Sequence, residues 1–142
     1  MEKFKLIPAV HLILIKDNKV LLLRRFNTGY EDGNYSVPAG HLDGNESATS
    51  AMAREALEEA CVRINSKDFE VVHVMHRKAE TERVDFFLVA KNYEGELKIG
   101  EVNKCDDLSW FPLNGLPNNM VPYVRYGIEC YQNHIFYSEF GW

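Results

Sequence analysis

The sequence predicts an α/β fold, a mixed β-sheet with two helices packed on it. Three observations predict it. Segments rich in β-branched and aromatic residues stand on both sides of a central segment. That central segment, Ala48 to Ala60, is strong in helix formers. A second helical segment closes the chain at Pro122 to Asn133, with Val121, Val124, Ile128 and Tyr131 on one face. At 142 residues, 46% hydrophobic and 12% aromatic, the chain suits a single domain over 1–142. Aromatic and aliphatic residues from Phe4 to Trp142 exclude a disordered chain.

The elements follow in order. Lys5 to Lys16 reads as a strand, Asp17-Asn18 as a turn, and Val20 to Arg25 as the partner strand of a hairpin. Asn27 to Asn34, with Gly29, Asp32 and Gly33, is a loop, and Tyr35 to Pro38 a short strand. Gly40 to Glu46 is a second loop, and Ser47 is the N-cap of the helix at Ala48. Phe69 to His76 and Val84 to Lys91 are strands, Tyr93 to Glu96 a turn, and Leu108 to Phe111 a strand. Pro122 suits the first turn of the last helix.

Charge and composition exclude several classes. A formal net charge of -5 does not predict a nucleic-acid polymer as partner. The longest aliphatic stretch, Val10 to Ile15, is broken by His11 and falls short of the roughly 20 residues of a membrane span. Met1-Glu2-Lys3 is not followed by a signal-peptide pattern. Three cysteines without CxxC spacing point to free thiols and a cytoplasmic setting. His11, His73 and His76 do not form a zinc spacing.

The central helix carries the chemistry. Glu55, Glu58 and Glu59 fall at i, i+3 and i+4, within about 100° of its circumference. Ala53, Ala56, Leu57 and Ala60 occupy the opposite arc, which is expected to face the sheet. Glu55 and Glu59 repel at i, i+4, and Arg54 with Glu58 offsets part of this. No lysine is interspersed, so a cation is expected over the three carboxylates. Hard divalent ions take oxygen ligands, and Mg²⁺ is held by a few carboxylates plus substrate phosphates. By spacing alone, a solvated acidic face is the alternative.

The wider pattern narrows this. Gly40, five residues, Glu46, seven residues, then Arg54-Glu55-Ala56-Leu57-Glu58-Glu59-Ala60-Cys61-Val62 resembles the Nudix box, G-x5-E-x7-R-E-U-x-E-E-x-G-U. Gly40, Glu46, Arg54, Glu55, Glu58, Glu59 and Val62 match. Ala56 is smaller than the usual aliphatic, and Cys61 stands where the family has glycine. A left-handed helix end there would strain a cysteine. The lead-in from Asn34 to His41 is also similar to the family's.

The resemblance implies a Nudix α/β/α sandwich with a catalytic helix and a C-terminal helix, and a cytoplasmic pyrophosphohydrolase using Mg²⁺, with Mn²⁺ as the alternative. It implies that Glu58 and Glu59 bind metal and that Glu55 is a ligand or the base. Arg54 orients a glutamate, Glu46 is structural, and the Ala39 carbonyl completes the metal site. A loop acid between Gly100 and Leu108 joins them; of Glu101, Asp106 and Asp107, the reading favours Asp107. Arg24, Arg25 and Arg77 are candidate phosphate ligands, while Tyr35, with Tyr30 and Phe26, could stack a ring.

The expected partner is a small nucleotide-like diphosphate, with the protein a monomer or homodimer. Subfamily markers past the box are missing from His76 to Glu80. By elimination, a MutT-like nucleoside triphosphate hydrolase leads. An ADP-ribose or nucleotide-sugar pyrophosphatase is the second reading. A non-catalytic nucleotide sensor, which would be expected to lose some of the glutamates, is the third.

Overall fold

The structure is a computed structural model and describes residues 1–142. In chain order it contains β1 (Ile7–Lys16), β2 (Lys19–Arg25), β3 (Tyr35–Ser36), β4 (Ala39–His41), α1 (Ala48–Ala60), β5 (Glu70–Lys78), β6 (Glu82–Ala90), β7 (Cys105–Pro112), α2 (Pro122–Gln132) and β8 (Tyr137–Phe140). The strands form one mixed sheet in the order β3-β2-β1-β6-β5-β8, with β4 on β1 and β7 on β2. No helix is long and apolar enough to cross a membrane.

Strand β1 is central and buried on both faces, which suits its near-continuous apolar sequence and its parallel pairing with β6. Val10, Leu12 and Leu14 pack with Met52, Ala56 and Ala60 of α1. On the other face, Ile13 and Phe87 pack with Val121, which precedes α2, and with Val124 and Ile128 of α2. Each helix thus covers one face, giving the α/β/α sandwich. The helix termini follow local chemistry. The Ser47 side chain accepts the Ser50 N–H at 3.2 Å, and α1 ends on Cys61 in the left-handed region at φ 60°.

Four differences from the sequence reading have physical causes. Ala39–His41, expected mainly as loop, pairs with Ala9–His11 as β4. There it takes the β1 edge that β2 leaves, because β2 pairs with β1 only at Ile15 and Lys16 beside their turn. Strand β8 lacks any alternating apolar pattern and forms by parallel pairing with β5. Leu57 is 45% exposed, because α1 turns Met52, Ala56 and Ala60 inward and carries Glu55 with them. Strand β7 begins at Cys105 rather than Leu108, since Arg25 and Arg24 of β2 pair with Cys105 and Asp107.

Candidate active site

The site forms where α1 lies over β4. Gly40 allows this approach: a Cβ there would fall on the Glu55 carboxylate. Glu59 accepts the Ala39 N–H at 2.7 Å. Arg54 lies among the acids, donating to Glu46 at 2.7 and 3.2 Å and to Glu55 at 2.7 Å. Glu58 is 3.6 Å from it and half exposed. Glu46 also accepts the Asp43 N–H, tying the loop before α1 to this arginine.

A second segment closes the site from the far end of α1. The Gly100 N–H donates to the Glu59 carbonyl at 3.0 Å. A side chain at Gly100 would overlap the Glu58 carbonyl. This contact sets Glu101 beside the helix carboxylates. Glu59, Glu101, Arg25, Lys104, Gly40 and His41 line a cleft of about 480 Å³. Arg25 is anchored by its own loop, with Nε on the Tyr30 carbonyl at 2.7 Å and Nη2 on the Thr28 hydroxyl at 3.1 Å. A second cleft, of about 530 Å³, shares Arg25, Gly40 and His41 and runs toward His11, Arg77 and Tyr123.

Electrostatics distinguish the carboxylates. Burial raises Glu59 to about 8; the Ala39 N–H opposes this, and Glu55 and Glu101 add to it. Burial also raises Glu55, against the pull of Arg54. Glu46 is lowered, chiefly by its bond from Arg54. An all-oxygen set with under-compensated charge fits a hard divalent cation. No three acidic, His or Cys side chains are already gathered as a metal cluster. Glu55 Oε1 is engaged by Arg54 and Glu59 Oε1 by a backbone N–H, and the Oε2 atom of each accepts no protein hydrogen bond.

Residues 5–129 match the NUDIX domain family. The chain belongs to the Nudix hydrolase family. Its class is therefore that of a pyrophosphohydrolase, and the family generally uses divalent metal ions. An ADP-ribose pyrophosphatase of Methanocaldococcus jannaschii is 30% identical over 122 residues, 82% of this chain and 70% of that protein. An NAD-capped RNA hydrolase NudC of Pseudomonas syringae pv. tomato is 28% identical over 134 residues, 87% of this chain; the match spans only 43% of that protein. The crystal structure of a MutT Nudix hydrolase from Burkholderia pseudomallei superposes with a TM-score of 0.81 at 22% identity, covering 89% of this chain and 98% of that one. At that identity the likeness shows the fold.

Within the Nudix site, the structure gathers some expected residues and separates others. Glu55, Glu58, Glu59, Arg54 and Ala39 lie together, with Ala39 engaged through its N–H rather than its carbonyl. Arg25 lines both clefts. Arg24 instead pairs with Asp106 at 2.7 Å, outside the clefts. Asp107 accepts the Tyr35 hydroxyl at 2.5 Å and the Ser109 hydroxyl at 2.9 Å, which occupies its carboxylate on β7. Tyr35 itself is buried against Phe111, so its ring faces are committed to the core. Glu101 reaches the cleft that Asp107 does not, and the preceding Gly100 was the available signal. Lys104 and His41 also line the cleft and were not singled out from sequence.

Proposed function

We propose that this Nudix protein is a Mg²⁺-dependent hydrolase of a nucleoside diphosphate-linked substrate, with a nucleoside triphosphate as the leading choice. The reaction is hydrolysis to the nucleoside monophosphate and pyrophosphate. The observation that carries it is the meeting of Glu55 and Glu59 with the Ala39–Gly40 backbone at a cleft also lined by Glu101, Arg25 and Lys104.

Glu55, Glu58, Glu59 and the Ala39 carbonyl would hold the metal. Bound Mg²⁺ supplies charge neutralisation of the diphosphate and a water of lowered pKa. The chain's own residues do the rest. Arg25, fixed through Nε and Nη2 by its loop, offers its remaining N–H groups to a phosphate oxygen. Lys104 adds a second positive charge on the same wall. Glu101 lies outside the Arg54 ion-pair group and takes the proton of the attacking water, as the loop acid in place of Asp107. Arg54 positions Glu55 and Glu46 and does not touch substrate.

A second reading, hydrolysis of ADP-ribose or a nucleotide sugar, is favoured by the 30% identical relative named as an ADP-ribose pyrophosphatase. Two connected clefts also offer room on each side of a diphosphate. The setting we infer is cytoplasmic, with the protein a monomer or homodimer; free cysteines agree with the first part.

A product screen with Mg²⁺ or Mn²⁺ tests these readings over nucleoside triphosphates, oxidised nucleotides, nucleotide sugars, ADP-ribose and dinucleotides. Pyrophosphate from a triphosphate supports the first. AMP and ribose 5-phosphate from ADP-ribose transfer the assignment to the second. Saturable nucleotide binding without any hydrolysis would make the protein a sensor.

A further inference from the structure

The second cleft has a floor that diphosphate chemistry does not require. Arg77 is only 6% exposed. Its Nε and Nη2 donate to Asp85 at 2.6 and 3.3 Å. Asp85 is fully buried and also accepts from His11 Nε2 at 3.0 Å. The Tyr123 ring lies 3.7 Å from the guanidinium carbon. Arg77 is therefore held in a fixed plane by a carboxylate on one edge and a ring against one face.

The remaining edge is open. Arg77 Nη1 donates to no protein group, and it is not among the buried unpaired atoms, which in this cleft are His11 Nδ1 and Arg83 Nε. It therefore faces the cleft. Because Asp85 already balances its charge, Arg77 is suited to neutral acceptors rather than to phosphate. The free end of a guanidinium presents two N–H groups side by side. Their complement is a pair of adjacent acceptors, such as O6 and N7 of guanine or hypoxanthine. Adenine places an amino donor where O6 would be.

Resting on the nucleotide-hydrolase reading, we propose that Arg77 selects the base of the substrate. It does so by donating from Nη1 and Nη2 to the O6/N7 edge of a 6-oxopurine in the second cleft. The phosphates then lie over Gly40 and His41, which with Arg25 are common to both clefts. Asp85, His11 and Tyr123 are positioning residues that hold the fork in register.

The test is calorimetric binding of GMP, IMP, AMP and 7-deaza-GMP to the metal-free full chain, beside Mg²⁺-dependent turnover of the matching triphosphates. GMP and IMP should bind alike, with AMP and 7-deaza-GMP weaker by about tenfold or more. Loss of N7 in the 7-deaza nucleotide needs no protein variant, so it reads the contact even if Arg77 variants fail to fold. Arg77→Lys keeps the charge opposite Asp85 and removes the fork, and should shrink the GMP-to-AMP preference to about twofold or less. AMP binding as tightly as IMP, 7-deaza-GMP binding as tightly as GMP, or no binding of any of the four overturns the proposal. Base preference in binding without hydrolysis of any nucleotide would remove the hydrolase reading and leave this one standing. Turnover indifferent to the base would do the reverse.

Discussion

Each face of the sheet carries a carboxylate withdrawn from solvent, and the two are treated oppositely. On the α1 side, Glu59 receives one backbone N–H and sits near Glu55 and Glu101, and burial drives it up to about 8. On the α2 side, burial pushes Asp85 in the same direction. There, bonds from His11 and Arg77 outweigh it and bring the carboxyl down to about 2. Burial is common to both, so the hydrogen bonds that each carboxylate receives decide the sign. A carboxylate left short of positive charge is ready for a cation. One fully supplied with it is a support for its neighbours.

The contrast is broken most severely at Asp85. Asp85→Asn strands Arg77 as a buried, uncompensated cation and should cost about 3–5 kcal/mol in denaturant unfolding. The pH dependence has a definite sign. With its pKa lowered from 3.8 to about 2, Asp85 contributes stability that is complete above pH 3.8 and lost as pH falls through 2. The gap between wild type and variant should therefore narrow in acid, and a gap constant from pH 7 to pH 2 would contradict the pairing.

Glu59→Gln tests the other carboxylate. Mg²⁺-dependent turnover should fall about a hundredfold or more, the scale of losing support at a metal site. Thermal stability in the absence of metal should be nearly unchanged at neutral pH, where Glu59 already holds a proton, and higher only as pH rises past 8 and the charge near Glu55 and Glu101 would otherwise form. Wild-type turnover in this variant would remove Glu59 from the mechanism.

The pH response of metal binding sharpens the comparison further. Glu59, raised from 4.5 to about 8, stabilises the metal-free fold most below pH 4.5 and loses that contribution as pH rises through 8. Mg²⁺ must displace its proton at neutral pH. Affinity measured by calorimetry should thus weaken by up to about tenfold per pH unit below 8. The rise in melting temperature on adding Mg²⁺ should grow between pH 6 and pH 8. A pH-independent affinity over that range would show that Mg²⁺ displaces no proton from Glu59.

The smallest effect is expected at the end of α1. Cys61 adopts φ 60°, a conformation that costs an L-residue roughly 1–2 kcal/mol. Cys61→Gly relieves this but frees the unfolded chain, so the net change should stay within about 1 kcal/mol in denaturant unfolding. A loss well beyond that would mean that the Cys61 thiol packs more tightly than its partial exposure indicates.

Much of the site was legible because it is local. The spacing from Gly40 to Val62 identifies a capped helix with three glutamates and an arginine, and these positions lie within a few turns of one another. Asp107 and Glu101 are close in sequence and equally acidic. What separates them is the pairing of β7 with β2, which puts Asp107 on a strand beside Tyr35, while Gly100 sets Glu101 against α1. Nothing local marks Leu57 as the apolar helix residue left outside.

Composition, periodicity and the spacing of Gly40, Glu46, Arg54, Glu55, Glu58 and Glu59 determined the fold class, the catalytic helix and the family. Only the tertiary structure decided that Ala39 meets Glu59 across 20 residues and that His11 meets Asp85 across 74. It alone decided that Arg77 is neutralised and aimed into a cleft. Helix and strand propensities act through neighbours a few positions apart. The charge balance of a buried group depends on whichever distant segments the sheet brings to it.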